Sequence, residues 1–450
     1  MQALRLERKI CASQMINTYR RTARTYAATG QERSGDVDHN VPRLVSSVDE
    51  PVGVSDPVHR ERGVDATTRL VYCRNGDTMP WRKILIGLAV LGSLVVLCGY
   101  LVLSSAPFGA AATGERLARI ESHPRFRDGA FTNVEPQAST GFADLLTYLK
   151  SQFFYDEVRV PPNPIPVVAV TTEQTRLRAE DSLRAFWIGH SSVYVEIDGV
   201  RVLTDPVFSE YASPFDIGPK RFHPPPIALD ELPKIDAVVI SHDHYDHLDH
   251  RTVTALAEGG TEFFVPLGVG AHLERWGIAP DQIHDLDWWE ERQLGNLRIV
   301  STPTRHYSGR GLGDYKAKLW SSWAIVGPSH RFYYSGDTGY SSHFKEIGEK
   351  LGPFDLTLIK VGAYGPGQAW IDVHMEPEPA MQAHLDVGGE TLLPVHWATF
   401  NLANHDWDEP IRRTVAEAAR LEIDVVTPRI GEWIEVPGSQ PSQAWWEGIR

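Results

Sequence analysis

The residues Ser241-His242-Asp243-His244-Tyr245-Asp246-His247-Leu248-Asp249 constrain this chain more than any other stretch. They follow Ile235-Asp236-Ala237-Val238-Val239-Ile240, a short apolar run rich in β-branched residues. That run predicts a buried strand, so the histidines emerge in the loop at its end. Imidazoles at 242, 244 and 247 with a carboxylate at 246 put four potential metal ligands within six residues. A chain leaving a strand cannot aim all four at one ion without strain. The arrangement suits two adjacent ions, His242 and His244 on one, Asp246 and His247 on the other. Nitrogen and oxygen donors without thiolate suit two Zn²⁺, with Fe or Mn as alternatives. The plain alternative, a solvated histidine-rich turn, fits a single histidine better than four ligand-type residues in this order.

Charge and cysteine usage narrow the rest. The chain has 450 residues and a net charge of −14, room for one large domain with appendages. Residues 1–83 carry 14 Lys/Arg against 10 Asp/Glu, whereas the remainder carries 30 against 48. So acidic a main domain argues against tight binding to nucleic acid, which rests on phosphate neutralisation. Cys11, Cys73 and Cys98 all precede residue 104, so any metal in the main domain is held by His, Asp or Glu.

Residues 1–79 are polar, Arg- and Ser-rich and poorly periodic, which predicts disorder. Residues 84–103 contain no charge and are dominated by Leu, Val and Ile, the length needed to cross a bilayer as a helix. Arg82 and Lys83 precede this run, which places the N-terminus in the cytoplasm and the main domain on the other side. The rivals are a buried core helix and a signal peptide cleaved near Ala110-Ala111-Ala112. A lipoprotein signal is disfavoured by the bulky Leu97 before Cys98. Met79-Pro80-Trp81-Arg82-Lys83 has the shape of an export signal's start, so translation is expected to begin at Met79. Residues 104–120 read as a tether, and 121–440 as the catalytic domain. A leader from His123 carries an expected amphipathic helix at 142–149. From residue 185 strands alternate with helices near 250–258, 341–350, 376–387 and 408–421, the pattern of a layered α/β domain. Asp198-Gly199 signals a hairpin.

His242-x-His244-x-Asp246-His247 after an apolar strand resembles the metallo-β-lactamase superfamily. The flanking text is similar to its N-acyl-phosphatidylethanolamine phospholipase D branch over residues 120–436. The resemblance is carried by Gly189-His190-Ser191-Ser192, Leu203-Thr204-Asp205-Pro206, Gly218-Pro219-Lys220-Arg221-Phe222, Trp288-Trp289-Glu290, Gly336-Asp337-Thr338-Gly339-Tyr340 and Val395-His396-Trp397-Ala398-Thr399-Phe400. It implies an αβ/βα sandwich, two sheets face to face with helices outside, and a site along one edge.

A two-metal centre needs further ligands, and His306, Asp337 and His396 each follow an apolar strand-like run. By the resemblance, His306 completes the site of His242 and His244, His396 completes that of Asp246 and His247, and Asp337 bridges both. Asp205 is then a residue supporting the metal histidines, and His190 lies at the site's edge, each with structural hydrogen bonding as an equal contender. Asp243 is read as a carboxylate that orients a histidine. His374, just before a helix, corresponds to a family histidine facing the substrate phosphate, where it would stabilise phosphate or protonate the leaving group; helix capping is its structural alternative. The family's Thr after Gly-His-Ala is replaced by Ser191-Ser192, and Tyr364–Trp370 departs from the relatives, which leaves the substrate-facing wall undetermined.

Two divalent ions about 3.5–4 Å apart can hold a shared water and lower its pKa towards ~7, giving a hydroxide nucleophile. The implied function is a membrane-anchored phosphodiesterase attacking a phospholipid and releasing N-acylethanolamine and phosphatidic acid. The alternatives are a lactone or ester hydrolase of the same fold and a non-catalytic, metal-bound envelope module. The resemblance also suggests a homodimer.

Overall fold

The computed structural model describes residues 80–139, 141, 146–147, 149–151, 154–176, 181–438 and 441–449. The disorder expected over 1–79 and the start expected at Met79 lie outside the described residues. So do residues 142–145 and 148 of the amphipathic helix expected at 142–149; of the remainder, 146, 147 and 149 are helical.

The long helices, in chain order, are α1 (Pro80–Leu103), α2 (Gly114–Ser122), α3 (His250–Glu258), α4 (Gly270–Arg275), α5 (His343–Leu351), α6 (Pro377–Asp386) and α7 (Glu409–Leu421). The sheet strands are β1 (Leu183–Gly189), β2 (Ser192–Ile197), β3 (Val200–Thr204), β4 (Ala237–Val239), β5 (Glu262–Pro266), β6 (Ile283–Leu286) and β7 (Glu291–Leu294). They continue with β8 (Leu297–Thr302), β9 (Ser322–Val326), β10 (Arg331–Tyr334), β11 (Phe354–Lys360), β12 (Gly389–Val395), β13 (Asp424–Val425) and β14 (Trp433–Val436).

These make two seven-stranded sheets, ordered β14-β1-β2-β3-β4-β5-β6 and β13-β12-β11-β10-β9-β8-β7. Each sheet is antiparallel at one end and parallel at the other, the change falling at β3 and at β10. β1, β2 and β3 are joined tightly. Between β2 and β3 the chain turns at Asp198 and Gly199, both with positive φ, the geometry that a two-residue hairpin needs.

Both faces of each sheet are covered, which is why the strands read as nearly continuous apolar runs. Side-chain alternation divides them. Ala185, Trp187, Val193, Val195, Val202 and Val239 point between the sheets and meet Ile299, Trp323, Ile325, Phe332 and Tyr334. Phe186, Ile188, Tyr194, Leu203, Val238 and Phe263 point outward to Val253 and Leu256 of α3 and Leu273 of α4. Phe344 and Ile347 of α5 and Met381 of α6 belong to the core of the second sheet, with α7 against α6. Each fully buried large apolar side chain contributes roughly 1.5–3 kcal/mol.

At one edge the two sheets are joined by hydrogen bonds as well as by packing. Ser321 N–H donates to the Ser241 carbonyl at 2.8 Å, and His396 N–H to the His190 carbonyl at 2.9 Å. The Trp323 indole N–H donates to the Ile240 carbonyl at 2.9 Å. This seam lies at the C-terminal ends of β1, β3, β4, β8, β10 and β12, where the predicted ligands emerge.

Two expectations need correction. Residues 104–120 are docked and do not form a free tether. Ala106–Phe108 form a 3₁₀ turn, α2 follows, and Ile120 is buried with Phe131, Leu267 and Trp320. Arg116 fixes α2, its Nε at 2.8 Å from Asp285 and its Nη1 at 2.9 Å from Glu274. The domain also runs past residue 440, because Trp446 and Ile449 are buried and Trp446 meets the Trp397 ring edge-on. α1 is long and apolar enough to cross a membrane by length and composition.

Trp323 tests the seam. Trp323→Ala removes a buried indole and is expected to cost about 3–5 kcal/mol. Trp323→Phe keeps most of the ring and orphans the Ile240 carbonyl, with an expected cost of about 1–3 kcal/mol. Chemical denaturation of the detergent-solubilised chain measures both, and equal losses would mean that the N–H bond, not ring volume, holds the seam.

Candidate metal centre

The loop after β4 is shaped before any metal arrives. The N–H groups of His247 and Leu248 both donate to the His244 carbonyl, at 3.1 and 2.8 Å, which curls the chain so that its side chains converge. Asp249 then caps α3, accepting from Arg251 N–H at 3.2 Å and from the Thr252 hydroxyl at 2.5 Å. The motif is thus pinned at both ends, by the strand and by the helix cap.

All seven predicted ligands come together. His242, His244 and His306 form one group, with His242 Nε2 at 2.9 Å and His306 Nε2 at 3.4 Å from His244 Nδ1. Asp246, His247 and His396 lie together in the second, which His190 also joins, with His247 Nε2 at 3.3 Å from His396 Nε2 and at 3.4 Å from Asp246 Oδ2. Asp337 lies between them, Oδ1 at 3.0 Å from His396 Nε2, and Oδ2 at 3.3 Å from His247 Nε2 and 3.9 Å from His306 Nε2.

The donor chemistry fits a pair of cations. Imidazole nitrogens face one another, an arrangement that requires a proton or a metal between their lone pairs. The opposite ring nitrogens are already used: His247 Nδ1 donates to Asp205 at 2.6 Å, and His306 Nδ1 to the Val373 carbonyl at 3.0 Å. His242 Nδ1 lies 2.9 Å from the Ser241 hydroxyl. These partners leave Nε2 as the free lone pair on all three rings. Asp337 Oδ1 is buried without a hydrogen-bond donor. Burial holds the His242 and His306 imidazoles well below their ordinary pKa, hence neutral and fit to ligate. Burial opposes charge on His247 too, but Asp337 and Asp246 outweigh it and make this position strongly cation-seeking. Burial would likewise raise the Asp337 carboxyl, yet the His396 and His247 imidazoles keep it ionised.

Asp205, expected as a support, has more contacts than the sequence suggested. Its Oδ2 accepts from His247 Nδ1, from the Ser241 hydroxyl at 2.5 Å and from the Tyr334 hydroxyl at 2.5 Å; its Oδ1 accepts from Ser241 N–H at 2.7 Å. Since Ser241 passes on the bond from His242, one carboxylate orients a histidine of each group. His190 lies deeper than an edge residue, Nε2 3.0 Å from Asp246 Oδ2. Burial and the neighbouring His396 hold its pKa at about 3, so it donates as a neutral ring.

Asp243 departs from expectation. It is fully buried, and its carboxylate faces His272 Nε2 at 3.1 Å, Gly309 N–H at 2.7 Å and Lys318 Nζ at 3.8 Å. It orients a histidine, though not one of the candidate ligands. His374 precedes α6 without capping it; its Nδ1 lies 3.7 Å from Asp337 Oδ2 and has no hydrogen-bond partner.

Three supporting residues escaped sequence reasoning. Tyr334 was hidden in an apolar strand. Asn133 grips the His306 backbone from both sides, with bonds of 2.9 and 3.1 Å. Lys360 ends β11 fully buried, donating to the Met375 carbonyl at 3.2 Å, and burial pushes its pKa down to about 7 against the pull of Asp337. A single cation closing an apolar strand was the signal for it. The ligand groups open into a cavity of about 500 Å³ lined by Tyr307, Tyr315, Trp370, Val373, His374 and Leu402.

Residues 200–397 match the family described as "Beta-lactamase superfamily domain". An uncharacterized protein of Mycobacterium tuberculosis is 46% identical over 349 residues, 76% of this chain and 92% of its own. The N-acyl-phosphatidylethanolamine-hydrolyzing phospholipase D 1 of Caenorhabditis elegans is 38% identical over 305 residues, 65% of this chain and 84% of that protein. A solved metallo hydrolase from Ignicoccus hospitalis aligns with a TM-score of 0.44 at 22% identity, covering 57% of this chain and all of that one. The identity across most of the Caenorhabditis enzyme, added to the superfamily match, means that the chain belongs to the metallo-β-lactamase superfamily, a family of metal-dependent hydrolases, and within it to the branch of the N-acyl-phosphatidylethanolamine-hydrolysing phospholipases D.

Proposed function

We propose that the chain is a membrane-anchored, dinuclear, metal-dependent phosphodiesterase of the phospholipase D type. It releases an N-acylethanolamine, or a related alcohol, from a phospholipid and leaves phosphatidic acid. The observation that carries this reading is the convergence of two ligand groups on one shared carboxylate, Asp337, beneath a cavity with a largely apolar, aromatic wall. His242, His244 and His306 would hold one ion and Asp246, His247 and His396 the other. Nitrogen and carboxylate donors favour Zn²⁺, with Fe or Mn as alternatives. When bound, the pair supplies Lewis acidity and activates water at neutral pH.

The chain's own residues divide the remaining work. Asp205 and Ser241 hold the rings of His247 and His242 in the ligating tautomer. His190 steadies Asp246. His374 faces the cavity beside Asp337 and is suited to orient the phosphate or to protonate the departing alkoxide. Burial and the nearby Lys360 keep its imidazole neutral in the free site. An anionic phosphate raises its proton affinity, so proton donation belongs to the substrate-bound state. Tyr307, Tyr315, Trp370 and Leu402 offer apolar surface to acyl chains. α1 supports a lipid substrate, because tethering raises the local concentration of lipid at the site. Arg82 and Lys83, in the first turn of α1 ahead of its uncharged run 84–103, support a main domain on the non-cytoplasmic side.

A mass-spectrometric lipid-product screen of the detergent-solubilised, metal-loaded chain tests this. Phosphatidic acid and N-acylethanolamine are expected from the parent and neither from Asp246→Asn. Cleavage of lactones with no phosphodiester turnover would overturn it. His374→Ala is expected to lower kcat about 10²–10⁴-fold with metal content intact. Asp205→Asn is expected to weaken metal affinity about 10–100-fold, read by competition with a chromogenic chelator.

A further inference from the structure

The segment between α1 and α2 is held at four points in seven residues. Arg275 Nη2 donates to the Ser104 carbonyl at 2.6 Å, and the Trp276 indole N–H to the Ala106 carbonyl at 2.6 Å. Arg310 Nε donates to the Pro107 carbonyl at 2.6 Å, and Ala110 N–H to His272 Nδ1 at 2.9 Å. Since α1 ends at Leu103, the domain grips the first residue beyond it.

Two of these grips continue inward to the same residue. His272 accepts at Nδ1, so its proton sits on Nε2 and is donated to Asp243 Oδ2 at 3.1 Å. Arg310 uses Nη1 to donate to the Asp243 backbone carbonyl at 2.8 Å. His272, Arg310 and Asp243 are all buried, so these bonds are shielded from water and costly to leave unmade. Asp243 lies between His242 and His244, so the juxtamembrane segment reaches its side chain through His272 and its backbone through Arg310, beside the Gly309 N–H and Lys318 Nζ that also face the carboxylate. Gly109 makes the close approach available: its φ is +70°, and a Cβ there would lie 1.7 Å from His272 Nδ1.

We propose that residues 104–110 are a strap that positions the metal loop, with His272 and Arg310 as the positioning residues that connect it to Asp243. The inference rests on the metal-binding reading above. Loss of the strap, by cleavage near Ala110-Ala111-Ala112 or by withdrawal of the anchor, loosens His242 and His244 and releases metal. The chain that keeps its apolar helix is therefore the metal-retaining form.

The test uses the full chain in detergent, loaded with Zn²⁺ for release to a chelator and with Co²⁺ for its visible ligand-field spectrum. His272→Phe and Arg310→Met each cut one link, and Gly109→Ala drives the strap off the His272 ring while keeping both linking side chains. Gly92→Ala, whose Cβ meets nothing within 4 Å, controls for the helix. Phe131→Ala, in the buried Ile120 cluster and outside the strap, controls for general destabilisation. Each of the three strap variants is expected to speed metal release about tenfold or more and to alter the Co²⁺ spectrum, as loss of groups behind metal ligands does. Unchanged release and spectrum in His272→Phe and Arg310→Met would overturn the proposal. So would equal acceleration in Phe131→Ala at a matched fall in melting temperature. A parent chain that retains metal but cleaves no phosphodiester fails the proposed function and leaves this inference standing; a parent that binds no metal sinks both.

Discussion

The Asp205 carboxylate is the interaction on which the rest depends. It is fully buried, and a buried anion without partners costs several kcal/mol. It is satisfied by four donors drawn from both halves of the molecule: the Ser241 backbone and hydroxyl and His247 from the loop after β4, and Tyr334 from β10 in the opposite sheet. The bond from Tyr334 crosses the seam. Closing the sandwich and orienting the histidines are therefore one event: without the second sheet the carboxylate lacks a donor, and without the carboxylate two rings lose the partners that fix their tautomers. A site of this kind cannot be assembled on a half-folded domain.

Backbone conformation at the same edge tells a related story. His190, Asp205, Ala363, His396 and Ala398 all have φ between 33° and 68°, where non-glycine residues are rarely found. Each such residue costs on the order of 1–3 kcal/mol unless its surroundings compensate. They share one function in the fold, turning the chain sharply as it leaves a strand, so that a side chain points along the seam instead of into a sheet face. The bond from His396 N–H to the His190 carbonyl ties two of these turns together. The conformational cost is concentrated where the candidate ligands converge and is offset by the packing of the two sheets behind them.

Much of this was legible in the sequence because the informative residues are close together or follow regular patterns. His242, His244, Asp246 and His247 fall within one loop, and His306, Asp337 and His396 each follow an apolar run that predicts its own strand. The supporting groups carry no such mark. Tyr334 looks like one more aromatic in Phe332-Tyr333-Tyr334, and only its position on the inward face of β10 sends its hydroxyl to Asp205. Residues 104–120 read as a tether because small residues and a proline predict little regular structure, while the groups that hold them, His272, Arg275, Trp276 and Arg310, lie more than 150 residues further on. Asp243 misled for the same reason: a carboxylate among ligands invites a role toward a metal histidine, and its true partner is distant in the chain. Local pattern reports the strands and what leaves them; hydrogen bonds between remote segments have no period to read.

The replacement of a tether by a docked segment changes the physical picture of the proposed anchoring. A flexible linker gives an effective concentration averaged over many orientations, most of them useless for a substrate lying in a bilayer. A segment gripped from its first residue beyond α1 removes that averaging, because the domain turns only as far as the helix itself does. Ordering the segment costs conformational entropy, roughly 1–2 kcal/mol for each residue's backbone. That cost is met by carbonyls of Ser104, Ala106 and Pro107 finding donors on exposed Arg275, half-buried Trp276 and buried Arg310, and by the contact of Phe108 with the rings of Phe215 and Tyr245. Tyr245 belongs to the histidine loop itself. The same side chains that hold the domain against the segment after α1 thus also border the residues that gather at Asp337, and orientation and site geometry are set by one set of contacts.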